Sequence, residues 1–139
     1  MIKGIIFDLG STLVQFQSDW ETVVREGAEA MATWYLKKKH MKLDSPALIE
    51  AFIVQREAGQ KAAIETQNEV LAEECLQLAL EKINAPPAAA AFTEGAIHTY
   101  FAPEEAAWQV YPDTVETLKW LQYHGYRLAL YSNASDNLL

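Results

Sequence analysis

The sequence predicts an α/β protein: a partial, doubly wound parallel sheet with a long helical insert between its two recognisable strands. Three observations lead there. Ile5-Ile6-Phe7 is an apolar run that ends in Asp8, followed by Gly10 and two hydroxyl residues, Ser11 and Thr12. Arg127-Leu128-Ala129-Leu130-Tyr131 is a second such run and leads straight into Ser132-Asn133. Short apolar runs bounded by turn residues read as buried strands of a parallel sheet. Between the two runs, apolar residues recur at helical spacing instead.

Taken in order, the first strand is expected near residues 2–7. A carboxylate at the carboxyl end of a buried strand is costly unless it is used, and ligands of open α/β sheets bind at that edge. Asp8 is therefore the first candidate for chemistry; its plainer reading is an ordinary strand-end carboxylate. A helix follows with Trp20, Val23, Val24, Gly27, Met31, Trp34 and Tyr35 at helical spacing, capped by Ser18 or Asp19. Lys37-Lys38-Lys39-His40 reads as its solvated end, complementing the helix dipole. Asp44-Ser45-Pro46 restarts the chain, with Pro46 in a first turn and Leu48, Ile49, Phe52 and Ile53 as the apolar face.

A third helix is expected over 69–83, ended by Asn84-Ala85-Pro86-Pro87, and a shorter one over 88–100. Ala102-Pro103 is then expected to leave the helix. Val115, Leu118 and Leu121 mark a helix after Asp113, which Gly125 stops before the second strand at 127–131. Helix, glycine, strand and hydroxyl-amide turn form one αβ unit feeding a parallel sheet. The final residues, Asn133 to Leu139, look like the start of another helix, with Ser135 or Asp136 as its cap. The organisation expected is a sheet-bearing part made of 1–14 and 103–139, with 15–102 as the helical insert.

Asp8-Leu9-Gly10-Ser11-Thr12-Leu13, followed about a hundred residues later by Leu130-Tyr131-Ser132-Asn133, resembles the two first motifs of the haloacid dehalogenase superfamily. Tyr111-Pro112-Asp113 ahead of the second motif is also similar to that family. The resemblance implies a Rossmann-like core in which Asp8 is the nucleophile, attacking phosphorus in the phosphatases and carbon in the dehalogenases. A bound Mg²⁺ would position the weak carboxylate nucleophile and neutralise the phosphate it approaches. Ser132 would hydrogen-bond the transferring group, with Asn133 beside it, and such donors are worth about 3–4 kcal/mol each in other enzymes. Thr12 would support the loop. Asp8 and the Gly10 backbone carbonyl would be metal ligands, and the helical insert would be a cap that closes over the nucleophile and selects the substrate.

Two departures qualify the match. Gly10 stands where phosphatases of the family carry a second Asp as general acid and base, a contribution commonly worth about 10²–10⁴ in rate. Dehalogenases lack that Asp too, but usually have an aromatic residue there. The family also needs a Lys after the second motif and a later acidic pair, and neither lies in Ala134 to Leu139, where Asp136 is the one acid. The expectation is a portion of a longer hydrolase, inactive if taken alone.

Bulk composition is compatible with this. A chain of 139 residues with 50% hydrophobic and 11% aromatic residues can build a core, which argues against disorder. A net charge of −8 disfavours nucleic acid and anionic membrane as partners. There is no leader-like stretch and no run of about 18 apolar residues. Cys75 is the single cysteine and reads as a core thiol, and the expected setting is a reducing cytoplasm. His40, His98 and His124 have no metal-ligand spacing.

Arg25, Arg56 and Lys61 read first as surface charges and second as contacts to a substrate anion. Truncated sheet edges would favour a homodimer. The leading function is a Mg²⁺-dependent phosphatase acting on a small anionic metabolite. The alternatives are a metal-independent 2-haloacid dehalogenase and a non-catalytic, partner-binding module.

Overall fold

The structure is a computed structural model and describes residues 2–39 and 44–132. The chain divides into two compact units. One comprises Asp19–Glu104, and the other comprises Met1–Ser18 with Glu105–Leu139.

The Asp19–Glu104 unit is helical. Helix α1 (Trp20–Lys39) starts where Asp19 Oδ2 accepts the Thr22 N–H at 2.8 Å. That backbone hydrogen bond holds the exposed Asp19 carboxyl below its ordinary pKa. Helix α2 (Ser45–Thr66) is capped by Asp44, which accepts from Ala47 N at 3.3 Å, and has a proline in its first turn. Gln67 ends it in the left-handed conformation at φ 60. Helix α3 (Ala72–Lys82) carries Glu73 and Glu74 in its first turn and Lys82 in its last, so both ends complement the dipole. It begins three residues later than the expected 69.

Helix α4 (Ala90–Ala107) corrects the expectation that Ala102-Pro103 leaves the helix, because Pro103 lies inside it. A proline there forfeits one intrahelical hydrogen bond. Phe101 before it and Ala107 after it are both buried, so continuing the helix keeps apolar surface out of water on either side. The core is built from Met31 and Tyr35 of α1, Leu48 and Phe52 of α2, Cys75, Leu76 and Leu80 of α3, and Tyr100 and Phe101 of α4. Cys75 is fully buried, as expected of a core thiol.

In the other unit, strand β1 (Gly4–Phe7) pairs in parallel with β4 (Arg127–Leu130), in register from Gly4↔Arg127 to Phe7↔Leu130. Helix α5 (Thr114–Tyr123) precedes β4 and packs against it. Gly125 turns the chain between them at φ 80, where a side chain would be strained. Two further strands have no counterpart in the sequence reading. They are β2 (Val14–Phe16) and β3 (Trp108–Val110), an antiparallel pair with Phe16 opposite Trp108. Each is three residues long, too short to show alternation.

Burial also departs from expectation. Ile6 is 72% exposed and Leu130 53%, although both runs read as buried strands. Among the described residues the sheet is two strands wide, so one α-helix cannot cover both of its faces. No helix among the described residues is long and apolar enough to cross a membrane.

Candidate active site

Asp8 is the first residue after β1, and Ser132 is the second after β4. Tyr131 N donates to Phe7 O at 2.8 Å, carrying the parallel pairing one step past the named strands. Asp8 and Ser132 therefore leave neighbouring parallel strands at the same carboxyl edge, the place where open α/β sheets bind ligands. Asp8 is exposed and Ser132 half-buried. Asn133 lies outside the described residues, as do Ser135, Asp136 and His40.

The loop after Asp8 is fixed by its own backbone. Leu9 O accepts N–H groups from Thr12, Leu13 and Val14 at 3.3, 2.9 and 3.1 Å, and Ser11 N donates to Val14 O at 2.7 Å. Ser11 adopts φ 60, a conformation uncommon for a residue with a side chain. Thr12 Oγ1 donates to Asp8 Oδ2 at 3.4 Å, a long and weak bond. The Asp8 carboxylate thus keeps lone pairs for an incoming electrophile or cation.

Thr114 was missed in the sequence. It is buried in the first turn of α5, and its Oγ1 donates to Leu13 O at 2.9 Å. Tyr111 N donates to the same oxygen at 3.1 Å. The start of α5 is thereby tied to the Asp8 loop. Its only sequence signal is a hydroxyl directly after Tyr111-Pro112-Asp113.

Among the described residues, no three His, Cys, Asp or Glu side chains gather into a metal-binding group. A Mg²⁺ ion keeps several waters and takes one or two carboxylates together with substrate phosphate oxygens. Asp8 and the Gly10 carbonyl are donors of that hard-oxygen kind.

The helical unit contains a cavity of about 320 Å³ lined by Trp20, Val24, Arg25, Ile53, Arg56 and Tyr100, with Glu21, Glu57 and Gln60 alongside. Arg25 pairs with Glu50 at 2.9 Å, and both side chains are exposed, as expected of surface charge. Arg56 is not a surface charge. Its guanidinium lies 5.6 and 5.9 Å from the Tyr100 and Phe101 ring centroids, and Nη1 donates to Val70 O at 3.4 Å. Its Nε is buried without a hydrogen-bond partner.

Burial pulls the Arg56 pKa down, but hydrogen bonding and charge contact with Tyr100 and Cys75 outweigh it, leaving the net shift upward. Burial conversely raises the Tyr100 and Cys75 pKa values, against the pull of Arg56. His124 stacks on Trp120 with ring centroids 3.9 Å apart, and His98 is exposed.

A family model for haloacid dehalogenase-like hydrolases matches residues 2–139. Comparison with curated proteins finds no match. Similar solved structures include a predicted phosphoglycolate phosphatase from Haemophilus somnus, at 21% identity over 97% of this chain and 53% of that one, with a TM-score of 0.39. A dehalogenase matches at 20% identity over 99% of this chain and 54% of its own, with a TM-score of 0.40. The L-2-haloacid dehalogenase RSc1362 matches at 19% over 99% and 56%, with a TM-score of 0.38. The chain spans about half the length of each of these structures.

Proposed function

The chain belongs to the haloacid dehalogenase-like hydrolases, and from that premise we propose that Asp8 is the nucleophile of a Mg²⁺-dependent phosphatase acting on a small phosphorylated metabolite. The observation that carries this is the placement of Asp8. An exposed carboxylate with open lone pairs stands at the carboxyl end of a parallel strand, beside the strand end that bears Ser132. One Asp8 oxygen attacks phosphorus, the bond from phosphorus to the leaving oxygen breaks, and the phosphoryl group passes to Asp8. Water then attacks that phosphorus, returns Asp8 as a carboxylate and releases inorganic phosphate.

Ser132 Oγ is the donor that would steady the transferring oxygens, and Thr12 is the loop residue beside Asp8, with a weak 3.4 Å hydrogen bond to it. Mg²⁺, held by Asp8 and the Gly10 carbonyl, would supply charge neutralisation between the carboxylate and the phosphate. The helical unit would serve as the cap, and Arg56 is a cation lining the cavity within that unit.

One observation favours a second reading, haloacid dehalogenation through an ester at Asp8. Gly10 offers no proton donor, and a departing halide needs none. The test is phosphate release from a panel of small phosphate esters by the full-length protein, with and without Mg²⁺. Mg²⁺-dependent release that disappears in Asp8→Asn is the expected result. Halide release from a 2-haloacid without metal, and no phosphate release, would replace it with the second reading.

A further inference from the structure

Two helical stripes build the cavity of about 320 Å³ in the helical unit. Trp20 and Val24 stand one turn apart on α1, and Arg56 and Glu57 follow Ile53 by three and four residues on α2, so each set shares one face of its helix. Tyr100 of α4 completes the lining. The volume is at the small end of the roughly 300–1,000 Å³ of ligand pockets, which suits a small metabolite.

Charge is layered across this cavity. Ile53 and Tyr100 are buried and Arg56 is half-buried, whereas Glu21 and Glu57 are exposed, so the cation lies on the inner side and the carboxylates at the rim. The other lining cation, Arg25, already pairs with Glu50 at 2.9 Å and also feels the charge of Glu21. Among the described residues neither Arg56 nor Glu57 has an ion-pair partner. The polar contacts of Arg56 are to neutral groups, the Val70 carbonyl and the Tyr100 and Cys75 side chains, and its Nε has no hydrogen-bond partner. A buried charge is ordinarily paired, and one that lines a cavity can be paired by what enters it.

We propose that this cavity is a binding site for a small free amino acid with an apolar side chain. Its carboxylate faces Arg56, its ammonium faces Glu57 at the rim, and its side chain lies against Trp20, Val24 and Ile53. A simple carboxylate would meet Glu57 as a like charge, and a simple amine would meet Arg56 as one. A zwitterion satisfies both. The site is made entirely of residues between Asp19 and Glu104, and it does not rest on the reading of Asp8. The amino acid is bound there, not turned over.

The test titrates the full-length protein with L-leucine and L-phenylalanine by calorimetry. Saturable binding with a Kd of roughly 1 mM or tighter is expected for ligands of this size. Leucinamide, which lacks the carboxylate, should bind about tenfold or more weaker than leucine, because the inner cation stays unpaired. Loss of the ammonium, in 4-methylpentanoate, should cost about threefold, the scale of an exposed ion pair. Glu57→Gln should weaken leucine by about the same factor yet tighten 4-methylpentanoate, since the like charge at the rim is gone. Opposite responses of this kind would not come from a loss of structure.

No saturable binding of either amino acid below about 10 mM would overturn the proposal. So would equal binding of leucine, leucinamide and 4-methylpentanoate, or a Glu57→Gln protein that weakens both acids alike. Asp8→Asn should bind leucine as the wild type does. Binding lost in that variant would put the amino acid at the Asp8 site and overturn the cavity assignment.

Discussion

Gly27→Ala sets two known effects against each other in the helical unit. Alanine is the better helix former by about 1 kcal/mol, so propensity alone predicts a more stable protein. The added methyl, however, would collide with the Tyr100 carbonyl oxygen and come within 3.0 and 3.2 Å of the Tyr100 ring atoms Cδ2 and Cε2. The first obstacle is backbone of α4, so it cannot swing aside as a flexible side chain would. Relief requires α1 and α4 to move apart, which opens the contacts of Met31 and Phe101 in the same core.

Overpacking of this kind costs about 1–3 kcal/mol, and a backbone obstacle belongs at the upper end. Offsetting about 3 by the propensity gain of about 1 leaves a net loss of about 2 kcal/mol. Urea unfolding followed by helical circular dichroism reads this directly. Gly59→Ala is the internal comparison, since its methyl would meet only side-chain atoms, Val70 Cβ at 3.1 Å and Cγ1 at 3.2 Å, and should cost less. A Gly27→Ala protein as stable as the wild type, or more so, would refute the close approach of the two helices.

Two other outcomes follow from the described contacts. Thr114→Val removes the bond to Leu13 O and should cost about 1 kcal/mol; it should also lower turnover by loosening the Asp8 loop, with rates and unfolding measured on one preparation. Alkaline pH should destabilise the helical unit, because burial raises the Cys75 and Tyr100 pKa values above their ordinary 9.0 and 10.0. The folded state then keeps protons that the unfolded state gives up, so stability is whole below about pH 9 and falls as pH rises through the two groups. A melting temperature that is flat from about pH 8 to 11 would contradict this.

Elements with a strong local period or an unambiguous cap could be read from the sequence. The apolar runs at β1 and β4 and the Asp44-Ser45-Pro46 restart, with Pro46 in the first turn of α2, are of that kind. So is the Gly125 turn. The strands β2 and β3 could not be, because three residues carry no period and their pairing joins segments far apart in sequence. The persistence of α4 past Pro103 was hidden for another reason: local propensity there opposes the burial of Phe101 and Ala107 that prevails.

At the site, Asp8 stood out because a charge ending an apolar strand is conspicuous. Thr114 did not, since its importance arises only when the chain folds back on the loop at 9–14. Arg56 looked like any surface cation, because nothing local shows that Tyr100 and Phe101 come to lie beneath it.

The most direct measurement is chemical trapping of the nucleophile. The full-length protein, mixed with an aryl phosphate and Mg²⁺ and quenched into borohydride, should yield a peptide in which position 8 has been reduced to homoserine. That product reports an acyl phosphate, the mixed anhydride of the Asp8 carboxylate with phosphate, and it should be absent without substrate. Reduction at another carboxylate, or substrate turnover with Asp8 unmodified, would contradict the assignment of Asp8 as the nucleophile.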